Sequence, residues 1–130
     1  MIRVSEAVLP GHPDKLCDHV AESIVQAALA VDAGAYAQIE AGIWCDQLWL
    51  SGSYALDGPA IDVESVARRA LAEIAAAVEP SRAEQAWQVT NAVCRRTEDA
   101  TNWVGQVSDQ AIVIGWAGYD ERVSYLPPEH

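Results

Sequence analysis

Positive charge is scarce in this sequence. Of 130 residues only eight are cationic, Lys15 and seven arginines, against 19 acidic residues and a net charge of −11. Nucleic-acid phosphates and anionic membrane surfaces both demand clustered lysine and arginine, so no nucleic acid and no membrane is expected as a partner. Long hydrophobic runs are missing as well. The most apolar candidate, Ser23 to Val31, is too short to span a bilayer. Met1 to Gly11 lacks a run of signal-peptide length, and Pro10-Gly11 interrupts it, so a cytoplasmic chain is expected. Cysteine is sparse: Cys17, Cys45 and Cys94 are odd in number, far apart, and without CxxC or Cys/His ligand spacing. They are expected to act as small buried apolar residues in a reducing cytoplasm.

What is present describes a folded domain. Hydrophobic residues make up 51% of the chain and charged residues 21%, which is enough to bury a core and too little charge for a disordered acidic tail. The length fits one domain, residues 1–130, with no internal repeat, linker or low-complexity segment.

Ile2-Arg3-Val4 reads as a short strand leading into a loop from Ser5 to His12. From Pro13 the period becomes helical, with Leu16, Val20, Ile24, Ala27, Ala28 and Val31 on one stripe. Pro13 and Asp14 suit the first turn, and Gly34 is the expected C-terminal cap. A hairpin follows. Ala35 to Trp44 places Ala37, Ile39, Ala41 and Ile43 on one face with Gln38, Glu40 and Trp44 on the other; Cys45-Asp46-Gln47 turns, and Leu48 to Leu56 returns. After the break at Asp57-Gly58-Pro59, Asp62 caps a second helix striped by Val63, Val66, Ala67, Ala70, Leu71, Ile74 and Val78, which Pro80 closes. Trp87 to Cys94 and Ala111 to Trp116 read as two more strands, with a loop from Arg95 to Gln110 between them. This order predicts an α+β fold, a mixed β-sheet with two helices packed on one face. Of the tryptophans in or beside strands, Trp44, Trp49, Trp87 and Trp116, some must point away from the helices, which gives the other face an apolar surface that needs a partner.

Gly11-His12-Pro13-Asp14-Lys15 is the chemically densest point. It sets an imidazole, a carboxylate and the only ammonium at a strand-to-helix junction. Helix N-termini attract phosphate through free N–H groups and the dipole. His12 and Lys15 add cationic hydrogen bonds for a polyphosphate, and Asp14 offers a carboxylate to Mg²⁺, which takes one or two such ligands beside phosphate oxygens. The competing reading of these residues is an ordinary capped helix start. His19, further along the helix, reads as a surface or partly buried histidine.

Ser5-Glu6, Gly11-His12-Pro13-Asp14-Lys15 and Asp18 together resemble the N-terminal signature of the S-adenosylmethionine synthetases (methionine adenosyltransferases). Glu40 in mid-strand, Asp62-Val63, Ser108-Asp109-Gln110 and Leu126-Pro127-Pro128 follow in matching order. The resemblance covers nearly the whole chain but only the first of the family's three domains. It implies a reaction in which the methionine sulfur displaces tripolyphosphate from C5′ of ATP, followed by hydrolysis of the tripolyphosphate. It also implies roles: His12 and Lys15 catalytic, with His12 facing the triphosphate near the breaking bond. Glu6, His12 and Asp109 would bind ATP, Asp14 and Glu6 would serve Mg²⁺, and Glu40 would sit by a K⁺ site.

The sequence departs from this family at the substrate pocket. Ser53 stands where the family has a glutamate for methionine, and Arg96 where it has a glutamine. The following loop, Thr97 to Ser108, is short and carries Trp103, and Ala111 replaces a glycine after Ser108-Asp109-Gln110. A serine and an arginine suit a substrate of different charge pattern, or a site that no longer turns over. The family's triphosphate-gripping cations lie mostly in the two later domains, and one lysine with Mg²⁺ does not make a full clamp in so acidic a chain. The expectation is therefore a split or stand-alone subunit that completes an adenosyltransferase site with a partner supplying the central and C-terminal domains, or with a second copy through the Trp-rich face. The alternative is a non-catalytic binding or regulatory subunit of a full-length synthetase; a third is a self-associating relic with no ligand.

Overall fold

The computed structural model describes residues 8–78 and 86–97, with Asp99 and Asn102. The elements are α1 (Pro13–Val31), β1 (Tyr36–Trp44), β2 (Gln47–Ala55), α2 (Val63–Val78), β3 (Gln88–Asn91) and β4 (Cys94–Arg95). All fall within one compact unit, Leu9–Gly105. The expected first strand at Ile2-Arg3-Val4, the closing Pro80 and the strand from Ala111 to Trp116 lie outside the described residues.

The fold is α+β with a mixed sheet. β1 and β2 pair antiparallel from Tyr36↔Ala55 to Trp44↔Gln47, whereas β3 and β4 both run parallel to β2, with Gln47↔Gln88 and Ser53↔Cys94. Both parallel segments share one offset along β2, so they form a single ladder interrupted at Ala92-Val93. The expected continuous strand from Trp87 to Cys94 is thus broken. At the break Asn91 accepts the Val93 N–H on its side-chain oxygen at 3.0 Å, a local turn on the side away from β2, while the Ala92 N–H still reaches the Leu50 carbonyl at 2.8 Å.

The two helices form one layer. Val20, Ile24 and Ala28 of α1 and Val63, Val66, Ala67, Ala70 and Leu71 of α2 are buried against Ile39, Leu48, Leu50 and Tyr54 of the hairpin. Burying each leucine or isoleucine of this set contributes about 1.5–3 kcal/mol, so the core rests on these few side chains. The stripe positions Val31 and Val78 end up exposed because each closes its helix, beyond the reach of the sheet.

Helix ends follow side-chain chemistry. Asp62 Oδ1 accepts the Ser65 N–H at 3.1 Å and Oδ2 accepts the Ser65 hydroxyl at 2.7 Å, which caps α2 and holds the Asp62 carboxyl below the usual range. At the end of α1 the expected Gly34 cap is replaced by Asp32, which is extended at φ −144°. The Asp32 carboxylate accepts N–H groups from Asp57 and Gly34, both at 2.8 Å, so it ends the helix and also fastens the loop after β2. The hairpin turn is two residues long, Cys45-Asp46, because Gln47 already pairs with Trp44. Cys45 has φ 56°, a positive first turn position that matches the right-handed strand twist.

At Gly52 the strands of the hairpin approach closely. Its φ is 118°, and an added Cβ would overlap the Gln38 carbonyl oxygen. Gly52→Ala should therefore lower stability by about 2 kcal/mol or more, whereas Gly42→Ala, with open space at its Cβ, should be neutral within about 0.5 kcal/mol; denaturant midpoints compare them.

Asp32 gives a pH dependence. The donated N–H groups depress its folded value, so its contribution is full above the ordinary carboxyl value of about 3.9 and is lost as pH falls through the depressed one. Asp32→Ala should lower Tm at neutral pH, and the gap from the parent should narrow under acid below about pH 4; melts across pH read both.

Candidate functional site

The first turn of α1 is built by His12. It sits in an extended conformation at the N-cap, and its Nδ1 accepts the Asp14 N–H at 3.2 Å, while its carbonyl takes the Leu16 N–H at 3.0 Å. With Nδ1 turned to the backbone as acceptor, Nε2 is the ring nitrogen left to face outward as a donor. Asp14 Oδ2 lies 3.8 Å from the same Nδ1. Pro13, Asp14 and Lys15 are exposed around this helix end. Cys17, one turn on, is half-buried. Burial pushes its thiol up, the Ile43 backbone works against that, and the charges of Asp14 and Asp18 add to it.

The helix layer covers one sheet face, and a second set of residues occupies the opposite, open face. Strand partners share a face, so the register sets out rows across the sheet. One row is Gln38, Ser53 and Cys94; the next is Glu40 and Ser51; then come Gly42, Trp49 and Thr90. Glu40, Ser51, Thr90 and Cys94 are exposed and Ser53 is half-buried. Arg96 follows β4 with its N–H donated to the Tyr54 carbonyl at 2.7 Å, and alternation from Cys94 puts it on the same face. Trp44 and Trp49 are 73% and 42% exposed at the hairpin-tip end, whereas Trp87 packs against the core.

The sequence-derived residues therefore fall into two groups. His12, Asp14 and Lys15 share the start of α1, and Glu40, Ser53 and Arg96 share the open face, with the sheet between that face and the helix layer. Glu6 and Asp109 lie outside the described residues. Cys94 was not singled out by the sequence reading, although its position two residues before Arg96 was the available signal. The expectation of buried cysteines is corrected: Cys45 occupies the turn and Cys94 the open face, and both are exposed. His19 is half-buried, with Nε2 lacking a hydrogen-bond partner, beside an open groove between α1 and α2.

Among the described residues no three His, Cys, Asp or Glu side chains converge to cage a metal ion. Asp14 is a single exposed carboxylate at this helix end, and Mg²⁺ can take one or two such ligands when oxygens from elsewhere complete its shell. No described helix is long and apolar enough to cross a membrane.

Comparison with known proteins places the chain. Residues 1–98 match the family described as S-adenosylmethionine synthetase, N-terminal domain, and the chain belongs to that family. Among curated relatives, the S-adenosylmethionine synthase of Corynebacterium kroppenstedtii is 36% identical over 70 residues, covering 54% of this chain and 17% of its own length. The synthase of Leifsonia xyli subsp. xyli is 26% identical over 95% of this chain and 35% of its own, and that of Mycoplasmopsis pulmonis 29% identical over 95% and 32%. The chain thus spans about a third or less of the relatives it matches.

The cap role of His12 can be separated from any chemistry of its ring. His12→Asn replaces the ring-nitrogen acceptor with a capping oxygen and should hold Tm near the parent, whereas His12→Ala should lose on the order of 1 kcal/mol in thermal or denaturant unfolding.

Proposed function

We propose that this chain is a split or stand-alone S-adenosylmethionine synthetase-like subunit, a single N-terminal-type domain over residues 1–130. It contributes half of an ATP-dependent adenosyltransferase site and is inactive alone. The observation that carries this reading is the two-sided placement of the motif residues. His12, Asp14 and Lys15 stand at the start of α1 while Glu40, Ser53 and Arg96 face away from the helix layer, so one chain offers pieces of a site rather than an enclosed one. The net charge of −11 adds to it, because a polyphosphate leaving group needs cations that this chain does not hold.

In this reading a sulfur lone pair attacks C5′ of ATP, the C5′–O bond breaks, and its electron pair leaves with tripolyphosphate. His12 presents its Nε2–H to the departing oxygens, and the α1 N-terminus with Lys15 adds positive potential. Asp14, with Glu6, holds Mg²⁺, which when bound neutralises phosphate charge; Glu40 serves K⁺, and Asp109 with Glu6 and His12 binds the nucleotide. The partner is a cytoplasmic polypeptide supplying the central and C-terminal domains, or a second copy docked on the Trp44–Trp49 face.

A second reading is favoured by the departures at Ser53 and Arg96. They change the charge pattern of the open face, which suits a non-catalytic subunit that binds and regulates a full-length synthetase. Reconstitution decides between them. With the partner present, an ATP-dependent adenosylated product and tripolyphosphate cleavage should appear, and His12→Asn should cut product formation by about a hundredfold without weakening assembly. Full activity in the His12→Asn complex assigns the regulatory role; no ATP-dependent product or tripolyphosphate cleavage with any synthetase-domain partner rejects the first.

A further inference from the structure

The far end of α1 is stitched to the loop that follows β2. Asp32 Oδ2 takes the Asp57 N–H at 2.8 Å, and Gly58, at φ 139°, lies so near Val31 that an added Cβ would meet its Cγ1 at 2.8 Å. Two carbonyls of this loop are taken by one guanidinium. Arg95 Nη2 donates to the Gly58 carbonyl at 2.7 Å and to that of Leu56 at 3.3 Å. Arg95 is the last residue of β4, which is two residues long and follows the interruption at Ala92-Val93. So short a strand is flanked on each side by a bond to β2: Ala92 N–H to the Leu50 carbonyl before it and Arg96 N–H to the Tyr54 carbonyl after it.

We propose that Arg95 is a positioning residue. By gripping the Leu56 and Gly58 carbonyls it holds β4 in register with β2, and so sets where Cys94 and Arg96 stand relative to Ser53. A guanidinium is suited to this, because its donors are fixed in a planar fork and its charge strengthens each bond to a carbonyl. The anchor is itself firm, since the carbonyls belong to a loop tied to α1 through Asp32. The helix that carries His12, Asp14 and Lys15 at its start therefore also fixes, at its other end, the strand leading to Arg96. That this matters for substrate rests on the proposed pocket role of Ser53 and Arg96; the grip is read from the hydrogen bonds alone.

Amide hydrogen exchange on the full chain tests it. Arg95→Ala should speed exchange at the Arg96 N–H about tenfold, the equivalent of one lost hydrogen bond, while amides of α1 and β1 keep their rates. Arg95→Lys, which retains a donor for the Gly58 carbonyl, should restore most of the protection. In a Cys45→Ser background, alkylation of Cys94 should also quicken in Arg95→Ala as its 3.6 Å contact with the Gly52 carbonyl opens. Loss of the neighbouring cation acts in the opposite direction on thiol reactivity, so a faster rate reports loosening. Unchanged Arg96 exchange, or an equal rise across α1 and β1, overturns the proposal. None of these readouts needs catalysis, so failure of adenosyl transfer and failure of the clamp are separate results.

Discussion

Strand β2 is the constraint on which the rest depends. Among the described residues it is the strand that pairs on both sides, antiparallel to β1 and parallel to β3 and β4. Its alternation sends Leu48, Leu50 and Tyr54 under the helices and Trp49, Ser51 and Ser53 to the open face. A slip of one residue would exchange the two sets, so the same register that buries the core also composes the surface opposite. Gly52 reinforces that register, since its neighbour's backbone leaves no room for a side chain.

Much of this was legible in the chain. The two helical stripes, the hairpin and the Asp62 cap each rest on local periodicity or on a side chain acting within three residues, and those signals survive folding. The cap at Asp32 was not legible, because its carboxylate is drawn to Asp57, 25 residues away, and a glycine two positions later offered an easier local account. The exposure of Cys45 and Cys94 escaped for a related reason. Side-chain polarity states a preference, whereas turn and face are settled by pairing between distant segments. The break between β3 and β4 likewise coincides with a local turn, Asn91 accepting the Val93 N–H, that spacing alone does not reveal. As for the candidate site, the motif supplied a set of residues but said nothing of the division of its described members between a helix end and the opposite sheet face.

That division gives the charge imbalance a physical sense. Placing acidic residues such as Asp14 and Glu40 at separate, exposed positions spares the fold the repulsion of a carboxylate cluster, so stability does not require the cations a polyphosphate would. Arginine is instead spent on architecture. Among the described residues, Arg68 joins Glu64 to the Trp87 carbonyl and Arg95 secures the loop beside α1, both bonding to backbone oxygens within the domain.

The open face also has an optical consequence. Trp44 and Trp49 meet solvent on the side away from the helices, whereas Trp87 is turned into the core. Indole emission moves to shorter wavelength when water leaves its surroundings. Among the described tryptophans, Trp44 and Trp49 thus form a label-free gauge of whether the face opposite the helices is wet or covered.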